Sequence, residues 1–224
     1  MKHSKRYCSL LSSIGDSPRS FSDAIESLRQ LPTKFDQSVE IHVRLGIDPS
    51  KSDQAVRTSA TLPHGTGKKI RIAAFVTPLL ETACREAGAD IVGGEDLIQE
   101  IAKTGATPFD VAIAIPEFMK MLGPIAKTLG QKGLMPNPKT GTVTPDPVKA
   151  ITELKKGKVN FKNDDGGNVH QSIGKISFSV AQLEENFNAF LEALRKAKPE
   201  STKKTFIQAV YVTTTMGPSI QIQL

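Results

Sequence analysis

The sequence predicts an α/β protein of two domains: a split α+β domain from both chain ends, 1–65 plus 158–224, and an inserted three-layer βαβ (Rossmann-like) domain over 66–157. Three observations predict it. Residues 39–45 alternate strictly: Val39, Ile41, Val43 and Leu45 face one way, and Glu40, His42 and Arg44 the other, as in a half-buried strand. From Lys69 onward, apolar runs of strand length alternate with helical stretches, the mark of a parallel sheet. The outer pieces each hold one helix and a few strands, too little for a core alone. Gly65 and Gly67 on one connection and Gly157 on the other then form a double hinge. A single continuous α/β domain is the alternative that the pattern leaves open.

The elements follow in order. Ser22 to Glu26 opens a helix whose Ile25, Leu28 and Leu31 share a face and which Pro32 stops. The alternating strand ends in a turn at Gly46 to Pro49, and 55–62 is a second strand. In the middle region, 69–76 is a strand and Thr77-Pro78 starts a helix to Ala87. A short strand at 89–92 leads to a helix from Gly94-Glu95 to Lys103. Another buried strand spans 109–115, with helices predicted over Pro116 to Leu129 and Pro147 to Gly157. Short strands at 159–161 and 169–173 flank the turn 163–167. A helix spans Ala181 to Lys198, with Leu183, Phe187, Phe190, Leu191 and Leu194 on one stripe. Strands at 206–214 and 219–223 come last.

Composition bounds the function. The 224 residues are 38% hydrophobic and 23% charged, enough for a real core and against wholesale disorder. No apolar run approaches the roughly 20 residues of a membrane helix, so no membrane partner is expected. Cys8 and Cys84 make neither a disulfide scaffold nor a four-cysteine zinc site, and point to a reducing compartment. Lys2, Lys5 and Arg6 precede a half-serine stretch where a secretory signal needs about 7–15 apolar residues. The N-terminus is therefore expected to be an exposed basic arm; a Ser-rich, acid-poor transit peptide is the other reading. A net charge of +6 and a pI near 9.3 favour a polyanionic partner.

Enzyme signals fail on their chemistry. Gly65 to Lys69 (GTGKK) lacks the hydroxyl residue of a phosphate loop and precedes a strand, so it reads as a hinge loop. Gly93-Gly94 is followed by Glu95 and Asp96, which repel an anion. His3, His42, His64 and His170 show no ligand spacing with each other or with cysteine. No catalytic constellation, metal or cofactor is expected.

Two stretches suit a nucleic acid. No acidic residue lies between Glu117 and Asp146, where Lys120, Lys127, Lys132 and Lys139 sit among glycines and prolines. Such a stretch is equally an ordinary solvated loop. Thr213 to Ser219 (TTTMGPS) offers hydroxyls and free backbone groups for phosphate and 2′-hydroxyl contacts, and Gly217 permits close approach. It also describes a hairpin turn with stacked threonines. Lys34-Phe35 pairs a charge with a ring, although such a Phe is more often core.

At these residues the chain resembles the ribosomal protein family called large-subunit protein one, of the mobile stalk on the tRNA-exit side. The matching blocks are Lys34 to Asp36, Leu45 to Pro49 with Ser52 to Gln54, Leu62 to Gly65, and Ala87 to Asp90. Leu129 to Pro138 (LGQKGLMPNP), Lys139 to Val143, Phe161 to Asp164, Gly174-Lys175 and TTTMGPS complete the set in the family's order. The resemblance implies a non-enzymatic structural constituent of the large ribosomal subunit, with two domains and the middle one inserted. It implies binding to a folded stalk of large-subunit rRNA through Lys34, Phe35, Ser38, Glu40, Asp164, Thr213, Thr215, Met216 and Gly217. Lys132 and Lys139 are implied as secondary RNA contacts. Deacylated tRNA is implied as a transient partner at the exit site, and the protein's own mRNA as a target of translational repression. The free protein is expected to be a monomer, and its location the ribosome of the cytoplasm or of an organelle matrix.

Three departures bear on affinity. Gln131-Lys132 stands where many relatives have Pro-Arg, and Arg is the better bidentate phosphate binder. Asp165 occupies a place often held by Lys, and Ala209 one held in some relatives by Ser. Thr215 and Met216 are placed at the rim, so truncating either is expected to spare folding. A free mRNA repressor that does not track the large subunit is one competing reading, and a nucleotide-dependent α/β enzyme another.

Overall fold

Alternation and period decide where each element forms. The computed structural model describes residues 5–15, 17–30, 33–51, 53–202 and 205–223. Leu31 and Pro32, read as the end of the first predicted helix, lie outside them, as do Lys2 and Ser52. The elements are α1 (Lys5–Ile14), α2 (Phe21–Arg29), β1 (Ser38–Leu45), β2 (Arg57–Thr61), β3 (Ile72–Phe75) and α3 (Pro78–Glu86). Then come β4 (Ile91–Gly93), α4 (Glu95–Thr104), β5 (Val111–Ala114), α5 (Ala126–Gln131) and α6 (Pro147–Lys155). Last are β6 (Lys158–Lys162), β7 (Asn168–Lys175), α7 (Val180–Lys196), β8 (Ile207–Thr214) and β9 (Ile220–Ile222). The mixture of helices and strands in several sheets is the α/β class that the sequence predicts.

The chain divides into two compact units, Met1–Lys68 with Val159–Leu224, and Lys69–Lys158. In the unit holding both ends, four antiparallel strands run in the order β7-β1-β8-β9. The inward positions of β1, Val39, Ile41, Val43 and Leu45, are buried. They pack with Ile25 and Leu28 of α2 and with the stripe Leu183, Phe187, Phe190, Leu191 and Leu194 of α7. Ser179 and Gln182 form a capping box that starts α7. Phe21 stacks on Phe187 with centroids 4.4 Å apart. The opposite face of the sheet, with Glu40, His42 and Arg44, stays accessible.

Asn186 ties α7 to the sheet and to the connection after β2. It is fully buried. Its Oδ1 accepts from the His64 N–H at 3.0 Å. Its Nδ2 donates to the Gly65 and Ile173 carbonyls at 2.9 and 2.7 Å. Helix and sheet are close enough there that a Cβ at Gly174 would lie 2.7 Å from Leu183 Cδ2.

In the other unit, β3 lies between β4 and β5 in a parallel sheet, as buried apolar strands joined by helices must. Ile72, Phe75, Ile113, Leu122, Ile125 and Leu129 fill its core.

Two local expectations need correction. The single helix predicted over Pro116 to Leu129 is two 3₁₀ turns, Pro116–Met119 and Gly123–Ile125, followed by the short α5. Pro124 lacks the N–H that a continuous helix needs, and Gly123 weakens the pattern beside it. The described part of the N-terminal basic arm is helical, and Ile14 is buried in the core. Strands do flank 163–167 as expected, and after one bridge, Asn163 to Val169, they part: β6 pairs with β2, and β7 with β1.

Asn186→Ala strands three backbone groups, so the unfolding free energy should fall by about 2–4 kcal/mol in urea titration. A loss under about 0.5 kcal/mol would show that the clamp carries no stability.

Candidate nucleic-acid interface

The turn after β8 is pinned to the residues that precede β1. The Ser38 N–H donates to Thr215 Oγ1 at 3.1 Å, and the Thr215 N–H donates back to the Ser38 carbonyl at 3.2 Å. The Met216 N–H donates to Gln37 Oε1 at 3.0 Å, and Gln37 is itself buried. Thr213 Oγ1 donates to the Gly217 carbonyl at 3.1 Å, and the Gly217 N–H to the Thr214 carbonyl at 3.0 Å. Lys175 Nζ donates to Ser38 Oγ at 2.9 Å. Five of the predicted positions, Ser38, Glu40, Thr213, Thr215 and Met216, thus share one end of the β1–β8 ladder, and Gly217 closes it.

This backbone holds side chains outward. Phe35 is 51% exposed and Met216 50%, two of the few large apolar side chains left in solvent. Lys34 is exposed as well. Met216 on the pinned turn and Phe35 on the segment leading into β1 are both exposed and available for stacking and close packing. That decides against the core reading of Phe35.

Cross-strand register orders the rest of the face. Glu40 lies between Ser172 of β7 and Thr213 of β8. His42 lies between His170 and Tyr211, and Tyr211 faces Gln221 of β9. Arg44 lies between Asn168 and Ala209. From Ser38 to His42 is four residues, about 13 Å along the strand.

Asp164 stands apart from the turn. Its Oδ1 accepts from the N–H groups of Asn168 at 2.6 Å and Gly166 at 2.9 Å. Its Oδ2 accepts from Asn168 Nδ2 and meets His170 Nε2, each at 3.2 Å. Donation by the Asn168 N–H, with the other donors, pulls its carboxyl down to about 2. Its first task is therefore to hold the 164–168 turn, and it joins the outward face through His170.

The histidines were missed by spacing because 128 residues separate them. His42 Nδ1 lies 2.7 Å from His170 Nδ1, with the rings edge to face. Alternation places His42 outward in the sequence, but only the β1–β7 register reveals its partner. Gln37 was missed for a like reason, since its partner is 179 residues away. No group of three or more His, Cys, Asp or Glu side chains fit for a metal occurs among the described residues.

In the other unit, Lys132 Nζ donates to the Gly105 carbonyl at 3.2 Å and to Thr107 Oγ1 at 2.8 Å, so it caps the end of α4. Lys139 is exposed. Gly65, Gly67 and Gly157 all have positive φ, at 62°, 69° and 107°. The carbonyl of Gly65 is held by Asn186.

The sequence from 26 to 218 matches the model of the ribosomal protein L1p/L10e family. The chain belongs to this family. It is 50% identical over 203 residues to the large ribosomal subunit protein uL1 of Acidithiobacillus ferrooxidans, covering 90% of this chain and 88% of that one. The uL1 of Haemophilus influenzae is 49% identical over 201 residues, 89% and 87% of the two chains. That of Fervidobacterium nodosum is 45% identical over 226 residues, 100% and 96%. The relatives are bacterial, and the family is one of structural ribosomal proteins and not of enzymes. No described helix is long and apolar enough to cross a membrane.

Thr215 is more than a rim residue, because its hydroxyl accepts the Ser38 N–H. Thr215→Ala should cost about 1 kcal/mol of stability, where the sequence alone leads to the expectation that folding is spared. Acid should act through Asp164. Its carboxylate stabilises the fold above about pH 3.8, and that contribution is lost as the pH falls toward 2. Urea midpoints across this range should fall for the wild type and fall less for Asp164→Asn.

Proposed function

We propose that the chain is a structural constituent of the large ribosomal subunit that binds the mobile stalk of large-subunit rRNA near the tRNA exit site. The observation that carries this reading is the pinned turn at Ser38, Thr215 and Met216 with its exposed Phe35 and Met216. Folded RNA is read by shape, by base stacking and by 2′-hydroxyl contacts, which suits a rigid polar platform with two apolar tips. Glu40 fits such a site, since a carboxylate accepts from a base amine or a 2′-hydroxyl. Holding the platform in place before binding lowers the ordering cost of association.

The lysine-rich 120–139 stretch supplies weaker phosphate contacts. Lys139 makes the larger share, because Lys132 is already engaged within its own unit. Gly67 and Gly157 border the unit boundary and act as the hinge; Gly65, held by Asn186, anchors the connection. Through them the second unit follows the stalk as deacylated tRNA leaves. The same platform represses translation of the protein's own mRNA where that mRNA presents a stalk-like fold.

The test is affinity for the rRNA stalk fragment against excess unrelated structured RNA, across a salt series. Binding that survives the competitor supports the reading; binding abolished by it means that basic charge alone was at work. Met216→Ala should weaken binding by about 1–3 kcal/mol, with the melting temperature unchanged. Lys139→Ala should reduce the log–log salt slope by about 1, and Lys132→Ala by less.

A further inference from the structure

In the chain Asp164–His170–His42, only Asp164 is among the residues that the resemblance implies for RNA binding; the two histidines have no part in the platform described above. This trio sits on the accessible face, about 13 Å along β1 from Ser38. We propose that it is a phosphate-contact site of that face, one that takes up a single proton as an RNA phosphate docks. The proposal rests on the reading of this unit as RNA-binding.

Donor and acceptor bookkeeping gives the mechanism. Asp164 Oδ2 is a carboxylate oxygen and accepts, so His170 Nε2 carries hydrogen in their 3.2 Å contact. With both rings neutral, His170 Nδ1 is then an acceptor. The hydrogen in the 2.7 Å contact comes from His42 Nδ1. His42 Nε2 is left with a lone pair and presents no hydrogen to an anion. One proton added at His42 Nε2 reverses this. The Nδ1 hydrogen passes across the short contact to His170, which now donates to both Asp164 and His42. His42 Nε2 keeps the added hydrogen and becomes a donor. The pair then carries one positive charge. A second proton is opposed, because two imidazolium rings would face each other with two hydrogens in one contact.

The surroundings favour coupling to a phosphate. On β1 the charged neighbours are Glu40 and Arg44, on β8 the titratable neighbour is Tyr211, and β9 brings the uncharged Gln221. On β7, Asn168 and Ser172 flank His170 and carry no charge, while Lys175 is at its far end, on Ser38. Arg44 draws a phosphate toward His42. Burial and the neighbouring His170 hold His42 below the ordinary imidazole value, against a smaller opposing effect of Glu40. The free protein therefore keeps His42 uncharged near neutral pH, and a docked phosphate reverses the balance.

Calorimetry with the rRNA stalk fragment tests this, run from about pH 5.5 to 8 in two buffers of unlike ionisation enthalpy. The wild type should take up as much as one proton per complex beyond any taken up by the RNA. It should bind up to about tenfold tighter for each pH unit lowered within the titration range. His42→Gln and His170→Gln should each lose this uptake, with melting temperatures confirming that both fold. Binding by the wild type with the same proton uptake as both variants overturns the proposal and leaves the rRNA reading standing. No specific binding by the wild type at any pH overturns both.

Discussion

Strand β1 takes both of its neighbours from the other end of the chain. It lies between β7 and β8, whose residues follow it by more than a hundred positions. The helix that buries its inner face, α7, comes from the same late segment. Nothing in this unit closes until both ends of the sequence meet. The inserted unit is self-contained by contrast, since β4 and β5 lie close in sequence to β3 and both pair with it. Folding of the split unit carries the cost of a long loop closure, and the clamp at Asn186 helps to offset it.

The candidate interface is a product of that closure. Ser38 and Gln37 belong to the early segment, Thr215 and Met216 to the late one; one main-chain bond, Thr215 N–H to the Ser38 carbonyl, and two main-chain to side-chain bonds join them. The exposed Phe35 and Met216 flank a frame that these hydrogen bonds hold. Recognition by such a frame depends on shape and a few contacts, with charge adding affinity that salt weakens.

What the sequence makes legible is local. The alternation of Val39 to Leu45 places Glu40, His42 and Arg44 outward, and the α7 stripe is buried residue by residue. The TTTMGPS block is distinctive enough to mark the turn. What stays hidden depends on register between distant strands: the His42–His170 contact, the seat of Met216 on Gln37, and the clamp at Asn186. Local pattern also leaves out tertiary partners and backbone breaks. Lys132 reads as a phosphate contact in a lysine-rich loop, and the sequence gives no sign that its ammonium also donates to the end of α4. The predicted helix over Pro116 to Leu129 follows apolar spacing, and the Gly123-Pro124 pair overrides it.

The central claim is that the pinned turn touches RNA. The chain has five methionines, and Met216 lies on that turn while Met119, Met121 and Met135 lie in the other unit. Methyl-labelled methionine NMR with the rRNA stalk fragment reports on it directly. The account predicts that the Met216 methyl signal shifts in proportion to the fragment bound and stays still with unrelated structured RNA. A Met216 signal unmoved while the fragment binds, or moved equally by both RNAs, would contradict it.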